Sequence, residues 1–407
     1  MKLLDGLPAN TRNCLMVEPL WALFGGVVFY FAPLYMADLG LTDIEMGIVN
    51  SVGLFASFVY FTLAGPVTNK YGRRRTSLVF DILSWSVSMV IWTFAQNFVW
   101  FVVAVIFNSA VRVVTVSWNL LLTEDAPQDR VVKVYAIVNI IGSMGGFVTL
   151  AAGLLLDHFG VIPVMRWTYG LGAVFMTAMF FLRNALCTET ANGRMLMEQN
   201  RNVSLWNLIF SQLRNFRTAS RDGHFFFLAI AFLISTAVGS FNFYQIIHLT
   251  DNLGYSKSQL SIVPAVNSLV SILLVLVVLP RIPKTAERSG LLAGFLLCAA
   301  TATAFLFLGK DMLPLVLLVQ GLASAGFLVL LTYLNSVFMN SVREAHKAEL
   351  FGLVQMLSML LSIPTGYLAG LMFSLNPLSA FGVSIGLFAA GGLVCLSLLK
   401  RHRVAAL

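Results

Sequence analysis

The chain has 407 residues, of which 58% are hydrophobic and 11% charged, with a formal net charge of +8. A soluble domain of this size carries about 25% charged residues, so this chain lacks the means to cover a water-facing surface, and its exterior faces lipid. The basic excess falls in short breaks between apolar runs instead of gathering on one domain, which excludes a nucleic-acid footprint and points to membrane topology.

A helix needs about 20 apolar residues to cross hydrocarbon. Such runs lie, within a few residues at each end, at 13–37, 43–69, 76–96, 98–123, 131–157 and 161–186. After a polar stretch they resume at 224–250, 257–280, 288–309, 312–340, 347–374 and 377–399. Only helices or closed barrels satisfy the backbone in lipid, and continuous runs of this length exclude barrel strands. The expected fold is therefore all-α, with twelve transmembrane helices. The first run is too long, and Met1–Asn13 too weakly basic, for a cleavable signal peptide. The four cysteines, Cys14, Cys187, Cys298 and Cys395, are scattered without a CxxC and are expected to be reduced and structural.

Twelve spans put both termini on one side, and charge selects the side. Lys70, Arg73, Arg74 and Arg75 follow the second run, and Arg130 and Lys133 the fourth. Arginines occupy the central stretch; Arg281, Lys284 and Arg288 follow the eighth run, Arg343 and Lys347 the tenth, and Lys400, Arg401 and Arg403 come last. The opposite loops hold little beyond Lys257, Lys310 and the nearby Arg166. By the positive-inside rule both termini are expected in the cytoplasm, with the protein in the inner or plasma membrane.

The chain also repeats itself. A shift of 214 residues lays Phe29-Tyr30 on Phe243-Tyr244, Leu39-Gly40 on Leu253-Gly254, Thr42 on Ser256 and Pro66 on Pro280. A shift of 216 lays Asn119 on Asn335. Six spans separate each pair, so the halves read as parallel repeats: bundles at 1–186 and 224–407, with a cytoplasmic linker at 187–223. That symmetry places a substrate site between the halves near the midplane, reached by alternating access. In the linker, Val203, Trp206, Ile209, Phe210, Leu213 and Phe216 recur at helical spacing, which reads as a helix lying on the inner leaflet or as a connector without regular structure.

The loop after the second span runs Gly65-Pro-Val-Thr-Asn69-Lys70-Tyr-Gly72-Arg73-Arg74-Arg75. This resembles the G-x-x-x-D-[RK]-x-G-[RK]-[RK] signature of the major facilitator superfamily, with Asn69 at the usual aspartate. Arg112 in the fourth span and the segment Glu124-Asp125-Ala-Pro127-Gln-Asp-Arg130 are similar to that family too. The resemblance implies the two-bundle fold, no cofactor, and a conformational latch built from Gly65, Asn69, Lys70, Gly72, Arg73 and Arg74. Asn69 keeps hydrogen bonding but loses the charge, which implies a weaker latch. Drug–proton antiporters of the family carry G-x-x-x-G-P-x-x-G-G in the fifth span; here Gly142-x-x-x-Gly146 is followed by Phe147.

Three ionisable residues, Glu18, Asp81 and Arg112, lie well inside predicted spans, and each costs about 2.5–3.5 kcal/mol at a helix centre. In the family the first, fourth, seventh and tenth spans line the cavity. The resemblance therefore makes Glu18 and Arg112 the candidates for proton coupling, with Glu18 either the proton carrier, a static partner of Arg112, or a side chain reaching the inner interface. Asp81 reads as structural, pairing with the Arg73–Arg75 cluster. The second half offers neutral polar groups only, among them Gln320, Asn267 and the expected hydrogen-bonded filler His248. Candidate substrate-cavity residues are Trp21, Tyr30, Trp118, Asn119, Asn242, Tyr244, Gln245 and Asn335.

No HExxH, GxSxG or Walker loop is present, so neither an enzyme site, a metal site nor an ATP motor is expected. The expected partners are a small-molecule substrate, protons and the lipid bilayer, with no nucleic acid and a monomeric state. Two transport readings stay open: proton-driven export of small amphipathic, drug-like compounds, and uptake of a nutrient such as a sugar or organic acid.

Overall fold

The computed structural model describes residues 4, 6–210, 223–278, 287–341 and 347–405, and among these all regular structure is helical. Eleven helices are long and apolar enough to cross a membrane, and a twelfth apolar helix, Ser289–Phe305, is shorter. The protein is an all-α membrane protein, as its apolar runs dictate.

The helices, in chain order, are α1 (Ala9–Val17), α2 (Pro19–Asp38), α3 (Asp43–Tyr71), α4 (Arg73–Thr93), α5 (Phe98–Thr123), α6 (Gln128–Phe159) and α7 (Val161–Leu186). They continue with α8 (Ala191–Gln199), α9 (Gly223–Asn242), α10 (Lys257–Val277), α11 (Glu287–Phe305), α12 (Leu313–Ser341), α13 (Lys347–Leu375) and α14 (Pro377–Ala405). Two compact units emerge. One comprises Met1–Gly40 and Val52–Ser211; the other comprises Leu41–Ser51 and Gln212–Leu407.

Each unit packs the same way. In the first, α2 lies against α6 and α7, and α4 against α5; in the second, α9 lies against α13 and α14, and α11 against α12. The repeat reaches down to single turns. Gly40 (φ 84°) and Gly254 (φ 74°) both leave a helix in the left-handed region that glycine alone enters freely. Two residues later each repeat starts a new helix with a capping box. Thr42 accepts from Glu45 N at 3.3 Å while Glu45 accepts from Thr42 N at 2.8 Å. Ser256 accepts from Gln259 N at 3.1 Å while Gln259 accepts from Ser256 N at 2.9 Å. The offset of 214 is thus a structural repeat.

In the first unit two predicted spans are interrupted, each beside a charge. The first breaks at Pro19, whose missing N–H cannot bond back into α1, so Glu18 sits at the joint between α1 and α2. The fourth breaks at Ser109–Ala110, where the Ser109 hydroxyl donates within reach of Val105 O (2.7 Å) and Gly53 O (3.1 Å), two turns of chain from different helices. Arg112 follows directly. In the linker, residues 205–210 are helical, with Ile209 buried and Trp206 and Phe210 exposed; Leu213 and Phe216 lie outside the described residues.

Helix α2 crosses α6 at bare backbone: a Cβ on Gly26 would lie 2.4 Å from Gly145 O, and one on Gly145 would lie 2.6 Å from Ala22 O. The glycine in contact is therefore Gly145; a Cβ on Gly142, first of the expected motif pair, would meet nothing within 4 Å. In the second unit, Gly47 approaches Gly366 as closely, Ser51 Oγ donates to Ile363 O (2.7 Å), and Tyr244 OH donates to Asp43 O (2.8 Å).

Candidate functional site

In the first unit, three spans far apart in sequence bring their charges together. Arg183 on α7 donates to Asp81 on α4 through Nη2, and its Nη1 lies 3.9 Å from Glu18 Oε2. The three side chains are 4%, 3% and 14% exposed. These partners remove one of the three alternatives for Glu18, the static pair with Arg112, and replace the pairing expected of Asp81. Glu18 sits beside Arg183 instead of Arg112, and Asp81 pairs with Arg183 instead of the Arg73–Arg75 cluster. Arg112 on α5 reaches Ser57 Oγ at 3.4 Å.

One guanidinium faces two carboxylates, and the two are not equivalent. Asp81 takes the direct hydrogen bond; Glu18 Oε2 is buried with no hydrogen-bond donor. A buried charge is costly unless it is both paired and hydrogen-bonded. Glu18 is the member of the cluster whose charge is incompletely compensated. Arg183 escaped sequence reading because it stands near the end of its apolar run, where a basic residue ordinarily marks the interface. Its burial is the signal that sets it apart.

Below this cluster, Cys14 and Cys187, scattered in sequence, meet with Sγ atoms 3.8 Å apart in a buried contact. All four cysteines are free.

The signature loop is held by two acids. Gly72 (φ 87°) turns the chain from α3 into α4, and a Cβ there would lie 2.5 Å from Glu189 Oε2 and 2.6 Å from Met197 Sδ. That carboxylate accepts from the backbone N–H groups of Arg73 (2.9 Å) and Arg74 (3.0 Å), the free donors at the start of α4. Arg73 is bidentate to Glu124 (3.0 and 3.1 Å), and its Nη1 donates to Asn69 Oδ1 at 3.4 Å. Arg74 Nε donates to Asn184 O at 2.8 Å, and Lys70 Nζ to Val203 O. Burial alone would raise the Glu124 carboxyl, but hydrogen bonds from Thr190, Asn192 and Arg73 outweigh it and hold the group below the usual range. Of the expected latch residues, Asn69, Lys70, Gly72, Arg73 and Arg74 thus join one network within this unit; Gly65 lies inside α3. Glu189 was not foreseen, because nothing in its local sequence marks it as the cap of a helix more than a hundred residues earlier.

The expected cavity residues separate. Trp21 packs on Trp85 (centroids 5.6 Å) and Tyr30 on Phe31 (4.9 Å). Trp118 joins an apolar core with Nε1 buried and unpartnered, and Asn119 Nδ2 donates to its own helix at Thr115 O. In the second unit Tyr244 is fully buried and stacked on Phe373 (4.8 Å), and Asn335 Nδ2 bonds back to Leu331 O (2.8 Å). The remaining two, Asn242 and Gln245, face a cavity of about 220 Å³ among α9, α10, α11, α12 and α14. Gln320 Nε2 donates to Gln245 Oε1 at 3.2 Å, Ser384 Oγ donates to Asn242 Oδ1 at 3.4 Å, and Asn267 Oδ1 is buried without a partner. Phe305, Phe327 and Phe388 supply apolar wall. Among the described residues its lining contains no ionisable acid or base other than the Cys298 thiol. The nearby His248 is buried, packed against Phe305 and Phe381.

The sequence profile of the Major Facilitator Superfamily matches residues 20–366. The multidrug resistance protein MdtG of Rahnella sp. (strain Y9602) is 23% identical over 300 residues, which is 70% of this chain and 68% of that protein. MdtG of Salmonella paratyphi A is 27% identical over 188 residues, and that match spans about half of either protein, 44% of this chain and 46% of the relative. Among solved structures, the nucleoside transporter NupG superposes with a TM-score of 0.74 at 14% identity, covering 96% of this chain and 99% of that one. The human organic anion transporter MFSD10 (TETRAN) superposes at 0.65 with 16% identity, covering 95% and 100%. At such identities these structures speak to fold.

Proposed function

Because the chain belongs to the major facilitator superfamily and is a multi-pass membrane transporter, not an enzyme, we propose that it exports small amphipathic compounds across the cytoplasmic membrane in exchange for protons, with both termini in the cytoplasm. The reading rests on one observation above the others, the cluster of Glu18, Asp81 and Arg183. Two acids against one base leave the cluster with an uncompensated negative charge when both are ionised. A proton on Glu18 removes it; deprotonation restores a site for a positively charged or strongly dipolar solute. Exchange of those two occupants, with the bundles rocking between inward- and outward-facing states, couples the proton gradient to export. Asp81 and Arg183 hold each other and fix the position of Glu18. The similarity to MdtG supports the direction of transport.

The test is accumulation in everted vesicles energised acid-inside, across a panel of amphipathic dyes, sugars and organic acids. Export predicts dye accumulation that collapses when the pH gradient is discharged. Glu18→Gln is expected to retain downhill movement and exchange while losing concentrative transport. Concentrative accumulation by Glu18→Gln would remove Glu18 as the carrier. Uptake of a sugar or acid in right-side-out vesicles, without dye export, would establish the nutrient-uptake reading, which Phe147 in place of the antiporter proline favours.

A further inference from the structure

We propose that the cavity inside the second unit is a binding site for an uncharged, hydrogen-bonding solute of the carboxamide type. The inference rests on the reading of the chain as a transporter and names the chemistry that one of its pockets accepts.

Three observations carry it. The first is the polar inventory: four side-chain amides, Asn242, Gln245, Asn267 and Gln320, converge there with the hydroxyls of Thr301 and Ser324. Each amide both donates and accepts, so the wall complements a group that does the same. The second is charge. Among the described residues no carboxylate, ammonium, guanidinium or imidazole lines the cavity, so an ion that exchanges water for this wall meets no counter-charge. The wall thus selects against ions of either sign. The third is an unfilled valence: Asn267 Oδ1 is buried with no donor. A buried acceptor left unmade is a standing cost, which turning the Asn267 amide toward an incoming N–H or O–H would relieve. The Gln245–Gln320 amide pair, at 3.2 Å, already displays on the protein the contact that a ligand carboxamide would reproduce.

Volume sets the size of the guest. Drug-sized ligands occupy pockets of about 300–1,000 Å³, and this cavity is about 220 Å³. It takes a small solute, or one ring and its polar substituent from a larger substrate. Phe305, Phe327 and Phe388 offer faces for such a ring. Water is the competing occupant, since each molecule needs only about 10–15 Å³ of such space and two to four polar partners.

The experiment is equilibrium binding of radiolabelled benzamide to the purified full-length protein in lipid nanodiscs, with benzoate and benzamidine as competitors. These three share a ring and a planar head while differing in charge. The expected result is saturable benzamide binding, displaced by benzoate and by benzamidine at least tenfold more weakly than by unlabelled benzamide. Asn267→Leu and the near-isosteric Gln320→Met should each weaken benzamide binding fivefold or more while leaving the melting temperature close to that of the parent. A misfolded Asn267→Leu leaves Gln320→Met to decide. No saturable binding means the space holds water only and overturns the proposal. So does competition by benzamidine or benzoate equal to that of benzamide, or binding that both variants leave intact. Dye export is measured on the same preparations. Export without benzamide binding sinks this site alone, and benzamide binding without any proton-dependent transport sinks the proposed function alone.

Discussion

The two units repeat one packing plan and even one turn, yet they solve the problem of buried polarity in opposite ways. The first buries ions: Arg183 with Asp81 and Glu18, and Arg73 with Glu124. The second buries neutral amides around a cavity. Duplication conserves the backbone geometry that packing requires, because helix crossings and capped turns tolerate little change. It leaves the polar interior free to diverge, because a half needs only internally satisfied groups. In the first unit, charge is therefore a structural dependency; in the second it is absent from the described interior.

The largest effect expected from that contrast is at Arg183. Arg183→Met leaves two carboxylates without their cation, and breaking a buried pair costs about 3–5 kcal/mol. We expect loss of folded protein in detergent, followed by size exclusion and thermal melting. The double change Arg183→Met with Asp81→Asn should recover part of that loss, since it removes one of the stranded charges. The amide counterpart in the second unit, Gln320→Met, should cost about 1 kcal/mol, the scale of one neutral hydrogen bond. Equal losses at the two positions would end the contrast.

How much of this was legible beforehand follows the same division. Span count, the repeat and its turns are written locally, in runs of apolar residues and in Leu-Gly followed by a capping Thr or Ser. The ion cluster is not local. Its members sit at positions 18, 81 and 183 and meet through tertiary packing, so a single sequence exposes each charge but not its partner. Arg112 drew attention by its depth, whereas Arg183, buried near a span end, looked like an interface anchor. Gly145 rather than Gly142 makes the close helix crossing for a similar reason: which face of a glycine-rich helix meets a neighbour depends on the neighbour. Asn242 and Gln245 were singled out as cavity residues and do share one, but with Asn267 and Gln320, and inside a single unit.

The next effect in size separates three glycines of positive φ. Gly72→Ala places a Cβ against the Glu189 carboxylate that caps α4, at a left-handed φ of 87°. Backbone strain of about 1–3 kcal/mol at φ 87° and ψ 162° adds to a lost cap worth about 1 kcal/mol. Gly40→Ala and Gly254→Ala carry the strain alone, since a Cβ at either would meet nothing within 4 Å. Each should cost about 1 kcal/mol and, if the turns are equivalent repeats, the two melting shifts should match. A marked inequality would mean that the repeat is one of sequence, not of energetics.

The smallest expected effect is the pH response of the signature loop. Glu124 is held below the ordinary carboxylate range near 4.3, so the folded state binds the proton less readily than the unfolded chain. Its contribution to stability is complete above that ordinary value and fades as pH falls through the lower folded one. Desolvation of the Glu124 carboxyl offsets part of what its hydrogen bonds contribute, which leaves a net effect on the order of 1 kcal/mol. Melting of the parent between pH 6 and 3.5 should therefore decline more steeply than melting of Glu124→Gln, which keeps the hydrogen-bonding shape without the titrating charge. Gln259→Glu, which introduces an acid into the Ser256 capping box of the second unit, supplies the contrast, because its single backbone N–H is a weaker grip than the bidentate arginine on Glu124. A slope in Glu124→Gln identical to the parent would place the acid sensitivity elsewhere in the first unit.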